Sequence, residues 1–485
     1  MPSIKKNFFY SSILTTANYI FPFLTYPYVS RVLGVNNIGI CNFVDSIVNY
    51  FILFSMMGIG IVGIREIAKS KNDKERLNRT FSSLFLLNTV STTIVFVVYV
   101  FAVFFVPKLY EHRELMLFGA LKLIFNYLNI EWLYKGLENF KYITVRSVLV
   151  KCCYVICVYI FIHDKSDYTL YYAFLCGIIV INGFINISYS RKFVQFTRQA
   201  LTFRPFINPL LTLGLYTFLT SMYTSFNVAY LGFTSGETEV GYYTTAIKLY
   251  SILLSLFTAF TGVLLPRMSS LIAEHKMDAF MQLLRKSADI LFAFAIPLVI
   301  FSVVFAPQII LVLSGNGYEG AILPMRIVMP LMLIIGYEQI LVVQTLMPLK
   351  EDKIIFRNSV LGAVSGLTMN ILLVANLHSV GSAIVWAVSE IVVLISAQSF
   401  LSKQHSIHFP AKKLLSAFAY HVPLLICVLL VSRIYAMPIV QLAVAMAISL
   451  VYCFVLQVFI VKNETVVGVY NKVVLSKIKK HYSKR

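Results

Sequence analysis

The sequence predicts an all-α integral membrane protein with about fourteen transmembrane helices. Hydrophobic residues make up 59% of its 485 positions, charged residues make up only 13%, and the mean hydropathy is +0.79. Apolar stretches of roughly 18 to 25 residues recur along the chain, and each is long enough to cross a hydrocarbon core of about 30 Å as a helix. Little of the chain is left for a water-soluble domain.

The limits of the spans follow from the Lys and Arg residues that separate the apolar stretches. The first span leads through two prolines to Arg31 and has no small-residue cleavage site, so we expect a retained helix rather than a signal peptide. The predicted helices lie near residues 8–30, 40–63, 81–106, 114–134, 145–162, 169–189, 208–231, 241–265, 289–313, 321–346, 355–375, 380–401, 414–434 and 439–461.

The distribution of basic residues predicts that both termini are cytoplasmic. Most of the 41 Lys and Arg fall in the segments that an inside N-terminus would make cytoplasmic. The outside loops hold only Arg31, Lys108, Arg113, Lys165 and Arg433. The net charge of +20 is therefore explained by basic residues that act as topological signals and face an anionic leaflet.

Nucleic acid, metals and cofactors are not expected as partners. A nucleic-acid site would need one clustered basic face on a soluble module, which the sequence does not contain. All seven cysteines fall inside apolar spans without a C-x-x-C pair, which is typical of small buried hydrophobes. The pair His405-x-x-His408 lies in a basic loop with no third ligand nearby.

An internal repeat relates two parts of the chain at an offset of 202 residues. It aligns Gly39 with Gly241, Asn42 with Thr244, and Arg65 with Arg267. The first copy begins with helix 1 and the second with helix 7, so an even number of helices separates their starts. Both copies therefore have the same orientation in the membrane, and the repeat is parallel. We therefore predict two pseudo-symmetric six-helix lobes, residues 1–205 and 206–402, followed by two accessory helices and a basic cytoplasmic tail, residues 403–485.

Polar side chains at helical spacing predict a shared aqueous cavity. Helices 1, 2, 7 and 8 each carry a polar stripe on one narrow face, and these helices are related in pairs by the repeat. Hydrogen bonding between helices would explain any single stripe equally well. The agreement of four stripes with the repeat favours a cavity.

Charged residues inside the spans sharpen this prediction, because each costs at least about 2.5 to 3.5 kcal/mol at a helix centre unless it faces water or a partner. Lys248 is the strongest candidate, since it lies on a polar stripe well inside its span. An excess of cations would hold an anion such as a pyrophosphate. The predicted cavity residues are Asn18, Arg31, Asp45, Asn49, Lys122, Asn126, Tyr223, Asn227, Lys248 and Ser251.

The chain resembles the Wzx-type oligosaccharide flippases of the polysaccharide transporter family. This family belongs to a superfamily that also holds multidrug and toxin-extruding antiporters and lipid II flippases. The resemblance covers nearly the whole chain, although each motif is short. The matching segments are Asn18 to Pro22, Arg31-x-Leu33-Gly34, Gly58 to Ala68, Gln344 to Lys350 with Pro348, Asn370, Gly381-x-Ala383-Ile384 and Ser389-Glu390.

This resemblance implies a non-enzymatic transporter of a bacterial inner membrane that works by alternating access. Its substrate would be an undecaprenyl-pyrophosphate-linked oligosaccharide, moved from the cytoplasmic to the periplasmic leaflet for O-antigen or capsule synthesis. Arg31 and Lys248 would meet the pyrophosphate, and Asp45 and Glu390 are candidates for proton or sodium coupling. The resemblance further implies a monomer that works beside a polysaccharide polymerase and chain-length machinery.

Three alternatives stay open at this point. A multidrug antiporter of the same fold would favour acidic cavity residues, whereas the deep charges here include Lys122, Lys151 and Lys248. A lipid II flippase would differ mainly in its sugar cargo. A membrane-embedded polymerase or ligase is the least favoured, because it would need a catalytic constellation, and the short outside loops contain none.

The segment Gly58-x-Gly60-x-x-Gly63 has the glycine spacing of a dinucleotide-binding turn, but it follows an apolar helix rather than a strand. We interpret it as the inner end of helix 2, where glycines permit a close approach to a neighbour or flexing at a cytoplasmic gate. The predicted gate residues are Gly58, Gly60, Gly63, Arg65 and Arg267.

Overall fold

The computed structural model describes residues 4–198, 201–434 and 437–461, and most of these residues lie in helices. The predicted basic tail, residues 462–485, lies outside the described residues. The α-helices are α1 (Ile4–Met56), α2 (Ile59–Ser70), α3 (Lys74–Phe105), α4 (Pro107–Glu111), α5 (Arg113–Asn126), α6 (Glu131–Gly136), α7 (Phe140–Phe161), α8 (Tyr168–Ser190), α9 (Arg204–Thr224), α10 (Phe226–Ser235), α11 (Glu237–Ala273), α12 (Met277–Val304), α13 (Ala306–Ser314), α14 (Ile322–Val328), α15 (Leu331–Leu341), α16 (Asp352–Met369), α17 (Ala375–Gln404), α18 (Ala411–Ile434) and α19 (Pro438–Val455).

The predicted all-α membrane fold is confirmed. Ten helical segments among the described residues are long and apolar enough to cross a membrane. Two of them, Phe9–Ser70 and Asp352–Gln404, each contain two of the predicted spans. The predicted spans near 114–134 and 208–231 correspond to the interrupted pairs α5/α6 and α9/α10.

Several helix ends differ from the prediction, because hydropathy marks the apolar part of a helix and not its polar ends. The predicted basic loop after helix 2 is instead helical up to Ser70, and α3 already begins at Lys74. Asp73 caps α3 by accepting a hydrogen bond from the Arg76 backbone N–H at 3.0 Å. The helix predicted to begin at residue 289 begins at Met277.

The breaks in the helices have local causes. Helix α1 bends at Gly34, which adopts a positive φ of 77° that only glycine takes at no steric cost. The chain breaks again between α1 and α2, where Met57 and Gly58 have φ angles of 40° and 79°. Further on, Pro330 stands between α14 and α15, where it has no backbone N–H to donate and so weakens a regular helix.

Contacts divide the chain into two compact units. Unit 1 contains the described residues of 1–252, 313–324 and 355–393, and unit 2 contains those of 253–312, 325–354 and 394–485. In unit 1, α2, α3 and α6 pack around the buried Trp132. In unit 2, α18 and α19 pack on α12, and Lys413 of α18 forms an ion pair with Asp289 of α12 at 2.8 Å.

Candidate functional site

A cavity of about 440 Å³ lies inside unit 1, between both parts of α1, the α9/α10 break and α11. Predicted helix 2 is the second part of α1, and the three residues of its predicted polar stripe, Asn42, Asp45 and Asn49, all line the cavity. Helical spacing places them there, because residues three and four positions apart share one face of a helix. The other polar lining residues are Asn18, Tyr26, Ser46, Tyr50, Ser221, Ser225, Thr244, Lys248 and Ser251.

One wall of the cavity carries a charge cluster. Lys122 Nζ of α5 forms an ion pair with Asp45 Oδ1 at 2.6 Å and donates a hydrogen bond to Asn49 Oδ1 at 2.8 Å. Asn49 Nδ2 in turn donates to Asp45 Oδ2 at 2.9 Å. The Lys122 side chain is only 12% exposed and that of Asp45 is 31% exposed. Within this cluster the carboxylate and the ammonium therefore compensate each other's charge.

Lys248 on α11 lies in a different environment. Its ammonium lies 5.3 Å from the centre of the Tyr26 ring, within the range of a cation–π contact. Among the described residues, no carboxylate forms an ion pair with it. Tyr26 is itself fixed by a hydrogen bond of 2.5 Å between its hydroxyl and Thr245 Oγ1. The cavity thus contains one cation, Lys248, whose charge no carboxylate of the described chain neutralises directly.

Residues that are 202 positions apart contact each other beside this cavity. Asn42 Nδ2 donates to Thr244 Oγ1 at 3.1 Å. Thr238 Oγ1 donates to Asn36 Oδ1 at 3.0 Å. A Cβ on Gly39 would lie 3.0 Å from the backbone nitrogen of Gly241. The second part of α1 and the start of α11 therefore cross closely, and the two copies of the repeat meet there.

Five of the ten predicted cavity residues line the cavity, and a sixth, Lys122, contacts two of these five. The five that line the cavity are Asn18, Asp45, Asn49, Lys248 and Ser251. Lys122 forms an ion pair with Asp45 and a hydrogen bond with Asn49, both of which line the cavity. Asn126 is the last residue of α5. Arg31 is exposed, donates to the Pro27 carbonyl oxygen at 2.6 Å and lies beside Gly315.

The remaining two predicted cavity residues, Tyr223 and Asn227, lie elsewhere because Ser225 interrupts the helix between them. Tyr223 packs against Gly362 and Gly366 of α16. Asn227 is fully buried and accepts a hydrogen bond from Asn370 Nδ2 at 2.9 Å. The break lets Ser221 and Ser225 line the cavity in their place.

The two carboxylates predicted as candidates for ion coupling lie in different surroundings. Asp45 faces the cavity and its ion-pair partner Lys122. Glu390 on α17 is 4% exposed, and its Oε1 accepts a hydrogen bond from Trp386 Nε1 at 2.8 Å. The two are therefore not members of one polar cluster.

The predicted gate residues differ in their packing. A Cβ on Gly58 would lie 2.9 Å from the Gly214 backbone nitrogen, and one on Gly63 would lie 2.7 Å from the Trp132 ring. A Cβ on Gly60 would meet no atom within 4 Å. Arg65 pairs with Glu66 at 2.9 Å on the surface of α2. Arg267 is an exposed residue of α11 in unit 2.

Sequence reasoning missed a buried network around Arg146. This residue is 4% exposed; its Nη2 forms an ion pair with Glu131 Oε1 at 2.5 Å, and its Nη1 donates to Asn186 Oδ1. Asn186 Nδ2 also donates to Asn129 Oδ1 at 2.8 Å, in the break between α5 and α6. No local pattern marks this network, because its members come from distant parts of the chain.

A second contact that the sequence did not reveal brings a cation to the cavity edge. Lys151 of α7 donates a hydrogen bond to Asn18 Oδ1, and Asn18 lines the cavity. A separate group with metal-binding donors, Glu111, His112 and Glu237, has its ligand atoms within 4.8 Å of one another. Lys108 Nζ lies 2.5 Å from Glu237, so an ammonium already compensates that carboxylate.

Known proteins resemble this chain in sequence and in fold. A protein of Escherichia coli strain K12 named "Putative O-antigen transporter" is 24% identical over 395 residues, covering 81% of this chain and 95% of the relative. A protein of the same name from Shigella dysenteriae is 25% identical over 378 residues, covering 74% of this chain and 90% of the relative.

Two solved structures share the fold. The structure titled "Lipid II flippase MurJ, inward closed conformation" superposes with a TM-score of 0.75 at 13% identity, covering 93% of this chain and 98% of that one. An inward-facing multidrug resistance MATE family transporter superposes with a TM-score of 0.65 at 14% identity, covering 80% of this chain and 94% of that one. Residues 4–272, more than half of the chain, match the family model described as "Polysaccharide biosynthesis protein". The chain therefore belongs to this family of polysaccharide biosynthesis proteins, as its sequence motifs predict.

Proposed function

We propose that this protein is a flippase that moves an undecaprenyl-pyrophosphate-linked oligosaccharide from the cytoplasmic to the periplasmic leaflet of a bacterial inner membrane. The observation that carries the proposal is the polar cavity of unit 1 with Lys248, which forms no ion pair with a carboxylate of the described residues. This cavity lies almost entirely within the segment that matches the family. The relatives named as O-antigen transporters support surface polysaccharide as the final product.

The charges of the cavity favour an anionic head group. Asp45 compensates Lys122, which leaves Lys248 to attract a phosphate. Ammonium groups bind phosphate by charge-assisted hydrogen bonds, and these are stronger where little water competes. Arg31 would assist from outside this cavity, and the Lys151 contact with Asn18 adds a second cation at its edge.

The size of the cavity is consistent with this assignment. A volume of about 440 Å³ falls within the usual range of sites for small molecules, about 300 to 1,000 Å³. It would hold a pyrophosphate and the first sugars, while a longer glycan would need the cavity to open. Alternating access of two lobes, residues 1–205 and 206–402, would provide that opening, with residues 403–485 as accessory helices and tail.

In this mechanism the ends of the crossing helices act as gates. The proposed gate residues are Gly58, Gly60, Gly63 and Arg65 at the inner end of helix 2, and Arg267 at the inner end of the related helix 8. Asp45 is the carboxylate best situated for proton or sodium coupling, because it faces the cavity, and Glu390 is the second candidate. Both termini would be cytoplasmic, and a monomer would pass its product to a polysaccharide polymerase and chain-length machinery.

The decisive experiment assays surface polysaccharide in a flippase-deficient strain that expresses variants of this chain. Lys248→Gln is expected to abolish export at normal protein level, with the lipid-linked intermediate accumulating on the cytoplasmic side. Lys248→Arg keeps the charge and is expected to retain most export. Lys141→Gln, which removes an exposed cation outside the cavity, is the matched control and should export normally.

The same assay separates the related transport functions. Full export by Lys248→Gln would contradict the role of this residue. Accumulation of lipid II instead of a polysaccharide repeat unit would identify a lipid II flippase. Drug efflux without any effect on lipid-linked sugars would identify a multidrug antiporter, the function of the second structural neighbour.

A further inference from the structure

The hydroxyl groups that line the cavity of unit 1 mostly donate their protons to the backbone. Each of the following donates to a backbone carbonyl oxygen, over distances of 2.7 to 3.3 Å: Ser46, Tyr50, Ser221, Ser225, Thr244 and Ser251. A hydroxyl group has one proton, so the oxygen of each group can only accept a further hydrogen bond. The lining therefore presents hydrogen-bond acceptors from α1, from α11 and from the break between α9 and α10.

The Asp45 carboxylate adds a negative charge to the same lining. Its Oδ1 pairs with Lys122, and its Oδ2 accepts a hydrogen bond from Asn49. The side chain of Asp45 remains 31% exposed. An ionised carboxylate has no proton to donate, so this group is also an acceptor. A second carboxylate beside it would meet a like charge, which opposes binding.

The positive charge around the cavity is matched to a pyrophosphate. Lys248 lines the cavity, Lys122 contacts the lining at Asp45, and Lys151 contacts it at Asn18. In this part of the described chain, three ammonium groups and one carboxylate leave an excess of two positive charges. Each phosphate of a pyrophosphate diester carries one negative charge at neutral pH. The pyrophosphate therefore uses the whole excess.

Glu131 does not reduce this excess. It interacts electrostatically with Lys151, but it forms ion pairs with Arg146 at 2.5 Å and with Lys135 at 3.2 Å. Two cations more than compensate one carboxylate. The positive charge of Lys151 therefore remains part of the excess beside the cavity.

A neutral sugar and an acidic sugar differ in how they fit this lining. Sugar hydroxyl groups can donate hydrogen bonds to the serine, threonine and tyrosine oxygens. The carboxylate of a uronic acid can only accept, so it would place acceptor against acceptor. It would also add a negative charge for which the cavity has no further excess of cations.

From this arrangement we propose that the cavity selects a repeat unit whose first sugar, next to the pyrophosphate, is neutral and carries free hydroxyl groups. An acidic first sugar, such as a uronic acid, is disfavoured. The inference rests on the flippase function proposed above and adds the chemical class of the sugar. It concerns only the part of the glycan that shares the cavity of about 440 Å³ with the pyrophosphate.

The first test measures the binding of three undecaprenyl-pyrophosphate disaccharides to the full-length protein in detergent. Their first sugars are glucose, 6-deoxyglucose and glucuronic acid, which differ only at C6, and all carry the same fluorophore on the second sugar. The glucose lipid should bind about tenfold more tightly than the glucuronic acid lipid, because like charges oppose binding. The 6-deoxyglucose lipid is neutral but lacks one hydroxyl, so its affinity should lie between the two.

This comparison requires no variant, so a folding defect cannot obscure it. Equal binding of the glucose and glucuronic acid lipids would overturn the inference, as would tighter binding of the acidic lipid.

Transport of the same lipids separates this inference from the proposed function. In proteoliposomes with proton and sodium gradients, a membrane-impermeant quencher reports the arrival of the fluorophore in the outer leaflet. The glucose lipid should move about tenfold faster than the glucuronic acid lipid. If no lipid moves faster than in protein-free vesicles while the binding preference persists, the flippase function is contradicted and the selectivity stands. Equal transport of both lipids would overturn the selectivity.

Variants locate the selection in the cavity. Ser225 is an exposed residue of the lining, so Ser225→Lys adds a cation there without burying it. This change should reduce the preference for the glucose lipid to within about twofold, because the added cation attracts the acidic sugar. Ser225→Gln adds a long side chain without charge and is the matched control, which should keep the preference. An unchanged preference in Ser225→Lys, with the glucose lipid still bound, would overturn the inference.

Discussion

Asn42 and Thr244 are joined by a hydrogen bond of 3.1 Å, and they are the same 202 residues apart that separate the two copies of the internal repeat. Asn36 and Thr238 form a second such contact at 3.0 Å. Equivalent residues of a repeat touch each other where a local two-fold axis passes between them. The crossing of α1 and α11 is therefore where the two repeats meet in unit 1.

This crossing predicts that transport can be locked by a covalent link. Asn36 and Thr238 lie at the predicted periplasmic ends of their helices, which must separate if the cavity opens to that side. The double variant Asn36→Cys with Thr238→Cys should form a disulfide that stops polysaccharide export, and a reductant should restore it. Either single cysteine variant is the control, and export that continues in the cross-linked protein would contradict separation at this point.

The Asp45–Lys122 pair predicts a non-additive effect of neutralising mutations. Lys122→Gln leaves the Asp45 carboxylate without its cation, and the partly buried charge should lower the free energy of unfolding by about 1 to 3 kcal/mol. The double variant Asp45→Asn with Lys122→Gln removes both charges and should recover much of that loss. Unfolding in mixed micelles measures the four states of the cycle, and strictly additive losses would show that the pair is not coupled.

Replacing Gly60 or Gly63 of α2 with alanine is expected to have different effects on stability. Gly63→Ala should destabilise the protein by about 1 to 3 kcal/mol, because its Cβ would lie 2.7 Å from the Trp132 ring. Gly60→Ala meets nothing within 4 Å and should be neutral or stabilising by up to about 1 kcal/mol, since alanine favours the helix. Thermal unfolding of the two variants in detergent checks the difference; equal effects would show that close packing is not what Gly63 provides.

The buried Arg146 network predicts a large loss from one substitution. Arg146→Met leaves Glu131 and Asn186 without their shared donor and should cost about 3 to 5 kcal/mol. Lys135 pairs with the same Glu131 at 3.2 Å, but it is 35% exposed, so Lys135→Met should cost less than about 1 kcal/mol. Protein level and melting temperature report both changes, and a larger loss from Lys135→Met would refute this ranking.

Much of the fold and part of the site could be predicted because the signals are local. Hydropathy indicates a membrane-spanning helix from its own residues alone, and helical spacing puts Asn42, Asp45 and Asn49 on one face. Helix interruptions made the prediction of the site residues less accurate. After the interruption at Ser225, Tyr223 packs against α16 and Asn227 donates a hydrogen bond to the Ser382 carbonyl oxygen of α17, although their spacing fits a continuous helix.

The sequence by itself determined the class of the protein, its apolar spans, its repeat and its family, because composition, periodicity and motifs are properties of neighbouring residues. Only the tertiary structure decided which charges compensate each other. Asp45 pairs with Lys122, 77 positions away, and Lys248 instead lies against Tyr26. Helix packing between distant segments determines which charged groups become neighbours. In surroundings of low dielectric constant the interaction between such charges is strong, so the identity of each neighbour has a large energetic effect.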